Sequence, residues 1–245
     1  MSATVPAPRR GAVLRAAVAM DLRLQRRYGF WWATVVVVAL WVGVLQLVPD
    51  ALLGPAMPYL LMADLEFMTF FIAGAVFFDK GERTLFALLI TPLRFGHYLA
   101  AKLLSMTALA VVTCVIVTLA DFGWGVQPFA FSAGVVLMAL LMILLGFVSA
   151  PLFPTISEWL LPATMLLAVA SAPLLDYSGL VPHPAFRLVP TEGPLLLLGA
   201  AFGQVDLDGW TLTYALAYPV VWIAGLCLLA RRVFDRHVVA SEGGR

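Results

Sequence analysis

Six long apolar stretches divide the chain, and shorter polar connections separate them. The stretches cover residues 30–48, 57–78, 98–120, 128–148, 158–175 and 212–230. A helix that crosses a bilayer needs roughly 20 mostly apolar residues, and each stretch is close to that length. The pattern therefore predicts an all-α, polytopic membrane protein with six transmembrane helices.

Composition supports this prediction, because 62% of the 245 residues are hydrophobic and only 12% are charged. Such a chain does not have the polar surface of a water-soluble protein. We expect a tail and an interfacial helix in residues 1–29, a six-span domain in residues 30–230 and a second tail in residues 231–245. No Gly-x-x-x-x-Gly-Lys-[Ser/Thr] phosphate loop occurs, so any nucleotide-hydrolysing domain must be another chain.

Basic residues predict the orientation of these spans. The chain has 15 Lys and Arg residues, and only Arg187 falls on the side opposite to the others. The rest lie before the first span, around the connection between spans two and three, and after the last span. Because cytoplasmic connections retain Lys and Arg, both termini are predicted to lie in the cytoplasm.

The segment before the first span has the pattern of an amphipathic helix. Apolar residues recur there at spacings of three and four: Val13, Ala17, Met20, Leu24 and Tyr28. Arg15 and Arg26 project from the opposite face, which predicts a helix that lies in the membrane interface. Leu22 does not fit, because it falls on the polar face. The alternative is a basic tail that only sets the orientation.

The connection before the last span, residues 176–211, contains an apolar run that is too short to cross the membrane. This run covers residues 193–203 and is bounded by glycines. We expect a short re-entrant element that dips into the outer leaflet, or a cap on the helical bundle.

The connection after the second span begins with charged residues and continues as a short apolar helix. Leu85, Leu88 and Leu89 lie three or four residues apart, and the step from Thr91 to Pro92 ends the helix. An apolar knob at the membrane surface suits docking into a groove on another protein.

Three motifs around this helix resemble the signature of type-2 ATP-binding-cassette (ABC) transporter permeases. They are Glu82-Arg83-Thr84-Leu85, then Thr91-Pro92-Leu93, then Tyr98-Leu-Ala-Ala-Lys-Leu103. The family includes bacterial drug-efflux permeases of the fluoroquinolone-export type, and its span arrangement is similar to that of almost the whole chain. The chain differs in one position, where Arg83 stands in place of the usual glycine and Gly81 comes earlier.

The resemblance implies a multi-pass subunit of the bacterial cell (inner) membrane that exports a hydrophobic or amphiphilic compound, either drug-like or lipid. The chain then has no catalytic or metal-binding residues and binds no cofactor; ATP and Mg²⁺ belong to a soluble ABC ATPase partner. A second permease copy or a paralogue completes the pathway, and nucleic acid is not a partner. The implied coupling helix docks the ATPase through Glu82, Arg83, Thr84, Leu85, Leu88, Leu89, Thr91 and Pro92.

Spans two and five line the pathway in that family, which singles out five residues: Asp64, Glu66, Phe67, Phe70 and Glu158. Carboxylates within a span are costly unless they face a cavity or a partner, and they suit a cationic compound. Aromatic rings suit a planar one. Each residue also has a structural interpretation: both carboxylates of span two lie in its outer third near the headgroups, the rings pack or face lipid, and Glu158 stabilises a helix N-terminus.

Two other functions stay open. An ion-coupled secondary carrier commonly has internal repeats and ionisable groups at mid-membrane depth, and no repeat at a fixed period occurs here. A polytopic membrane enzyme needs clustered His, Asp or Glu. The three histidines, His97, His183 and His237, fall in connections or tails without metal-ligand spacing.

Overall fold

A computed structural model describes residues 10–81 and 95–234, and every regular element in these two ranges is helical. The helices are α1 (Arg10–Arg27), α2 (Phe30–Leu45), α3 (Asp50–Gly81), α4 (Phe95–Asp121), α5 (Pro128–Ser149), α6 (Ile156–Ala170), α7 (Pro173–Tyr177), α8 (Glu192–Ala201) and α9 (Gly209–Phe234). Two short 3-10 turns, Ala150–Leu152 and Pro184–Leu188, complete the set. The predicted all-α architecture is confirmed.

In the described ranges, five helical stretches are long and apolar enough to cross a membrane: Asp50–Gly81, Phe95–Asp121, Pro128–Leu152, Ile156–Tyr177 and Gly209–Phe234. A sixth is obtained when α1 and α2 are taken together, although they meet at an angle of 67°. Gly29 makes this bend with a φ of 79°, a conformation that glycine adopts without strain. The chain is therefore a polytopic membrane protein, as predicted, while the interfacial position of α1 stays a prediction.

Helix α5 forms the centre of the bundle, and most of its residues are buried. It packs closely on α3 because Gly146 leaves no room for a side chain beside the backbone of Thr69. The Thr69 hydroxyl also donates a hydrogen bond to the carbonyl of Met142 at 3.0 Å. By contrast, α6 and α9 leave most of their surfaces exposed, which makes them available to lipid or to another protein.

Charge separates the two ends of the bundle. The basic end carries Lys80 in the last turn of α3, Arg26 and Arg27 in that of α1, and Arg231 and Arg232 in that of α9. Helix α4 begins at this end, where the rings of Phe95 and Phe234 pack with their centroids 4.7 Å apart. We call the opposite end the acidic end. The side of the membrane that each end faces stays a prediction.

The apolar run before the last span forms α8, which is buried between α5 and α9 at the acidic end. Gly193 lies against the backbone of Ala215, where a larger side chain has no space. The hydroxyls of Tyr214 and Tyr218 donate to the carbonyls of Arg187 and Leu188, both at 2.6 Å. This segment therefore caps the bundle, and its depth in the outer leaflet stays a prediction.

Candidate translocation face

One face of α3 remains partly exposed over most of its length. The partly exposed residues recur at helical spacing and include Tyr59, Ala63, Glu66, Phe67, Phe70, Phe71, Gly74 and Phe78. Because a helix repeats every three to four residues, these side chains form one continuous stripe. Helix α2 flanks the stripe on one side and α6 on the other. We call this stripe the α3 face.

On the α2 side, aromatic rings border the α3 face. The ring of Trp41 meets that of Phe67 edge-on at a centroid distance of 6.5 Å, and Phe30 stacks on Phe71 at 5.5 Å. Phe67 nevertheless keeps 38% of its surface exposed. Such ring pairs contribute about 0.5–1.5 kcal/mol each beyond burial, so these contacts hold α2 against α3 and leave aromatic surface free.

On the α6 side, Phe70 contacts the buried ring of Trp159 edge-on at 5.6 Å. The indole N–H of Trp159 donates to the hydroxyl of Ser149 at 3.0 Å. The Lys80 Nζ lies 3.2 Å from the carbonyl oxygen of Pro151 and 3.1 Å from that of Phe153, in the turn that leads into α6. The start of α6 is thus fixed beside α3.

The two carboxylates predicted for this span have different environments. Asp64 is fully buried and accepts hydrogen bonds from Trp41 Nε1 at 3.0 Å and from the Cys114 thiol at 3.6 Å. It joins three helices and has no surface on the α3 face. Glu66 is partly exposed there and accepts a hydrogen bond from the hydroxyl of Ser171. No cation of residues 10–81 or 95–234 pairs with Glu66.

Both carboxylates lie near the middle of α3 rather than in its outer third. The helix begins at Asp50, seven residues before the start of the predicted span. Gly54 faces the ring of Phe122 at the acidic end. Asp64 lies ten residues from Gly54, about 15 Å along the helix. The depth of the two carboxylates in the bilayer, and so the interpretation that they lie near the headgroups, stays a prediction.

Glu158 lies in the first turn of α6, as the sequence predicts. Its backbone N–H donates to the Thr155 hydroxyl oxygen at 3.3 Å, and that hydroxyl donates to the Glu158 carboxylate at 3.1 Å. Thr155 is therefore the N-cap of the helix, and the Glu158 carboxylate binds the capping side chain. The roles of Glu158 at the helix dipole and at the pathway entrance stay predictions.

A buried ion-pair network at the basic end was not predicted from the sequence. Lys102 Nζ lies 2.8 Å from Asp21 Oδ1 and 3.0 Å from Asp79 Oδ2. The hydroxyl of Tyr98 donates to Asp79 at 2.7 Å. We call this set, together with Gln25 and Ser105, the basic-end network. Tyr98 and Lys102 belong to the third motif of the resemblance, but their partners come from other helices.

Hydrogen bonds extend the basic-end network along α1. The Gln25 amide donates to Asp21 and to the Ser105 hydroxyl oxygen, both at 2.9 Å, and the Ser105 hydroxyl donates to Asp21. Asp79 and Tyr98 lie at the ends of α3 and α4 that bound residues 82–94. The network therefore links α1 to both helices next to the predicted coupling segment.

Comparison with known proteins now identifies the family. A sequence profile described as the fluoroquinolones export permease protein family matches residues 12–242. The chain belongs to this family. Two relatives, each called a fluoroquinolones export permease protein, come from Mycobacterium tuberculosis strains CDC 1551 / Oshkosh and ATCC 25618 / H37Rv. Each is 44% identical over 229 residues, which cover 93% of this chain and 97% of the relative. No solved structure matches.

Family membership confirms the resemblance to drug-efflux permeases that the sequence motifs indicated. As a member of this export permease family, the chain is a membrane transport subunit rather than an enzyme. The eight predicted docking residues from Glu82 to Pro92 lie outside the described residues. Their role as a coupling helix stays a prediction.

Proposed function

We propose that this export permease is the membrane subunit of an ABC exporter in a bacterial inner membrane. Its basic end and both termini face the cytoplasm, and a separate soluble ATPase binds ATP and Mg²⁺ and supplies the energy. The transported compound is a planar aromatic amphiphile with a basic amine, of the fluoroquinolone kind. The printed names of the two relatives support the compound class.

The observation that carries this proposal is the environment of Glu66. A carboxylate inside a span is costly unless a polar partner or a cavity compensates it. Glu66 has one hydroxyl partner, no cation among the described residues and free surface on the α3 face. Phe67 and Phe70 adjoin it and can stack on a flat ring. A cationic amine beside a planar ring system matches this combination of charge and shape.

Asp64 has a supporting role in this proposal. Because the Trp41 indole bonds to Asp64 and also borders Phe67, the buried carboxylate fixes a ring at the edge of the α3 face. Asp64 is thus a positioning residue, whereas Glu66 contacts the compound. Glu158, which contacts Thr155 at the basic end of α6, is exposed and lies at the entrance of the proposed pathway.

A second permease copy, or a paralogue, completes the pathway opposite the α3 face. One chain supplies only one wall, because the stripe lies open between α2 and α6. Helix α6 presents exposed apolar residues beside that opening, including Leu161 with 66% and Met165 with 64% of their surfaces exposed. A second subunit that packs on these residues keeps the Glu66 carboxylate away from lipid, which suits an interface between two membrane subunits.

The ATPase docks on the segment between α3 and α4, through the apolar knob of Leu85, Leu88 and Leu89. The basic-end network supports this proposal, because it links α1, α3 and α4 at the two ends of that segment. Movement of the docked segment is then transmitted to the α3 face, because the ion pair of Asp79 and Lys102 joins α3 to α4.

Co-purification tests the partnership. The chain is purified in mild detergent together with candidate ABC ATPase subunits, as wild type, as Leu88→Asp and as Leu180→Asp. Leu180 is a matched control, since it is an exposed leucine in a connection at the acidic end. The wild type and Leu180→Asp should retain the ATPase, and Leu88→Asp should release it. The Leu88→Asp permease should elute at the same volume as the wild-type permease without the ATPase. A wild type that binds no ATPase contradicts the ABC assignment.

Drug accumulation in cells tests the function and separates it from the alternatives. Cells that express the chain and the ATPase together should accumulate less fluoroquinolone than cells that express either alone. An ion-coupled carrier lowers accumulation without the ATPase and loses this effect when the proton gradient is collapsed. A membrane enzyme leaves modified drug in the medium, which mass spectrometry detects.

A further inference from the structure

A groove separate from the α3 face lies between α2 and α4, and α1 lies across one end of it. Its volume is about 520 Å³, and none of its lining residues belongs to α3. Binding sites for small molecules commonly measure about 300–1,000 Å³. The groove is therefore large enough for a ligand and does not share the surface proposed for the exported compound.

The groove has the length of one leaflet and opens toward lipid. On α4 it extends from Ser105 to Ile116. Eleven residues of helix cover about 16 Å, close to half of a hydrocarbon core of about 30 Å. Its rim residues Trp31, Val35 and Val112 have 51%, 58% and 53% of their surfaces exposed. In a membrane-spanning chain, an open side of this kind faces acyl chains.

Polarity is confined to one end of the groove. Gln25, Thr34 and Ser105 are its polar lining residues, and they lie toward the basic end, while valine, leucine and alanine line most of the remainder. Leu22 of α1 also lines this end. The leucine that falls on the polar face of α1 in the sequence pattern thus has a structural reason: it continues the apolar wall of the groove.

Positive charge lies beside the polar end. Arg26 follows Leu22 by four residues and Arg15 precedes it by seven, so both share its face of α1. Both arginines are on exposed positions of that helix, and neither forms an ion pair within residues 10–81 and 95–234. Basic residues on an amphipathic helix at a membrane surface attract anionic headgroups.

We infer that the groove holds one acyl chain of an anionic phospholipid, whose phosphate lies beside Arg26 of α1, while Arg15, about 16 Å farther along the helix, extends the positive surface. An apolar channel of one-leaflet length with exposed cations beside its basic end matches such a lipid. The assignment to the inner leaflet rests on the proposed orientation, but the binding site itself does not depend on the exported compound or on the ATPase. The lipid holds α1 against α2 and α4.

The first test measures the phosphatidylglycerol that the full-length chain retains after purification in mild detergent, by extraction and mass spectrometry. Ala108→Phe fills the groove, because Ala108 lines it. Ala120→Phe is the matched control, since Ala120 is exposed farther along α4 and does not line the groove. Ala108→Phe should lose most of the retained phosphatidylglycerol, and Ala120→Phe should keep it. Equal retention by both variants overturns the inference.

A second measurement uses the wild-type fold and removes the risk that a filled groove disturbs folding. Phosphatidylglycerol with brominated acyl chains is added to delipidated protein, and the quenching of tryptophan fluorescence is recorded. At an equimolar amount of brominated lipid, Trp31→Phe should reduce the quenching more than Trp32→Phe, because Trp31 lines the groove and Trp32 does not. Equal quenching in both variants contradicts a lipid in this groove.

Charge selectivity distinguishes the lipid from other occupants. Arg15→Gln with Arg26→Gln should abolish the preference for phosphatidylglycerol over phosphatidylcholine, and Arg231→Gln with Arg232→Gln should leave it intact. Displacement of the brominated lipid by a fluoroquinolone identifies a drug site instead. A change from dimer to monomer in Ala108→Phe, without loss of lipid, identifies a second copy as the occupant. Either result overturns the inference.

Discussion

The basic-end network and the α3 face both place charged groups inside an apolar bundle, but only the network pairs them with charges of opposite sign. In the network, the side chains of Lys102 and Asp21 are only 3% and 6% exposed, and the ammonium lies between two carboxylates. The Gln25 amide and the Ser105 hydroxyl bind the other oxygen of Asp21, while Asp79 keeps one buried oxygen without a partner among the described residues. On the α3 face, Glu66 has a single hydroxyl partner and open surface.

This difference separates structural charges from those available to a ligand. A buried pair is destabilising to break, because the remaining charge has neither water nor a partner. The network therefore fixes the relative positions of α1, α3 and α4. The carboxylate of Glu66 lacks a cation within the described chain, so its charge can be balanced by a bound cationic compound. The following predictions test this distinction, from the largest expected effect to the smallest.

Lys102→Met should have the largest effect, because it leaves Asp21 and Asp79 buried together without a cation. We expect a loss of about 3–5 kcal/mol in the free energy of unfolding. Unfolding of the purified chain in mixed detergent micelles measures it. Arg231→Met, which changes an exposed cation, should alter the value by less than about 0.5 kcal/mol. Replacing Asp21 and Asp79 by Asn in addition to Lys102→Met should regain part of the loss. Similar free energies of unfolding for Lys102→Met and Arg231→Met contradict a structural role of the Lys102 ion pairs.

Glu66→Gln should lower export without destabilising the chain. The amide keeps an acceptor for the Ser171 hydroxyl but removes the negative charge. We expect export of a fluoroquinolone to fall about tenfold, which corresponds to about 1.4 kcal/mol. Drug accumulation in cells and the unfolding midpoint of the purified chain measure the two properties. A lower midpoint with unchanged export per folded molecule instead assigns Glu66 to the structural group.

Glu192, at the start of α8, provides an intermediate case with a pH dependence. Burial, and then the nearby Asp176, raise the pKa of this carboxyl from 4.5 to about 7, while Arg187 opposes the change. Its Oε2 has no hydrogen-bond partner among the described residues. Because the unfolded chain ionises this group near its ordinary pKa, its contribution to the stability of the fold falls as the pH rises from 4.5 to about 7 and then levels off.

Glu192→Gln should therefore raise the melting midpoint more at pH 8 than at pH 5. We expect a difference of about 2 °C at pH 8, which thermal unfolding in detergent measures at both values. Asp206→Asn, at an exposed position of the same connection, is the control and should leave the midpoint of the wild type unchanged at both pH values. A gain confined to pH 5 has the wrong sign and contradicts the effect of burial.

Glu158→Gln should have the smallest effect. The hydrogen bonds with Thr155 are kept, and only the favourable charge at the N-terminus of α6 is lost, which contributes about 0.3 kcal/mol. Unfolding and drug accumulation should both stay close to the wild type. A large loss of export with normal stability places Glu158 with Glu66, as a residue that the compound contacts.

Local features of this fold were predictable from the sequence. An apolar run of span length leaves few alternatives, so the predicted span at 30–48 and the helix Phe30–Leu45 begin at the same residue. The position of Glu158 in the first turn of α6 was also predicted. The early start of α3 was missed because Pro55 and Pro58 lie inside the helix, where proline usually breaks it.

The basic-end network was not predictable, because its residues come from distant parts of the chain. Asp21 and Ser105, which share a hydrogen bond, are 84 positions apart. Hydrophobic periodicity assigns residues to a face of one helix but does not say which faces meet. For the same reason, the sequence placed Asp64 and Glu66 in one group, although only Glu66 lies on the α3 face.

The distinction between charges paired within the bundle and the unpaired carboxylate of Glu66 is tested most directly by ATP-driven uptake. The uptake is measured in inverted membrane vesicles that contain the chain and its ATPase. Uptake is compared for a fluoroquinolone with a basic amine and for an analogue without it, in the wild type and in Glu66→Gln. The account predicts that Glu66→Gln raises KM about tenfold for the amine compound and leaves KM for the analogue unchanged. An equal change for both compounds contradicts a contact between Glu66 and the cationic centre.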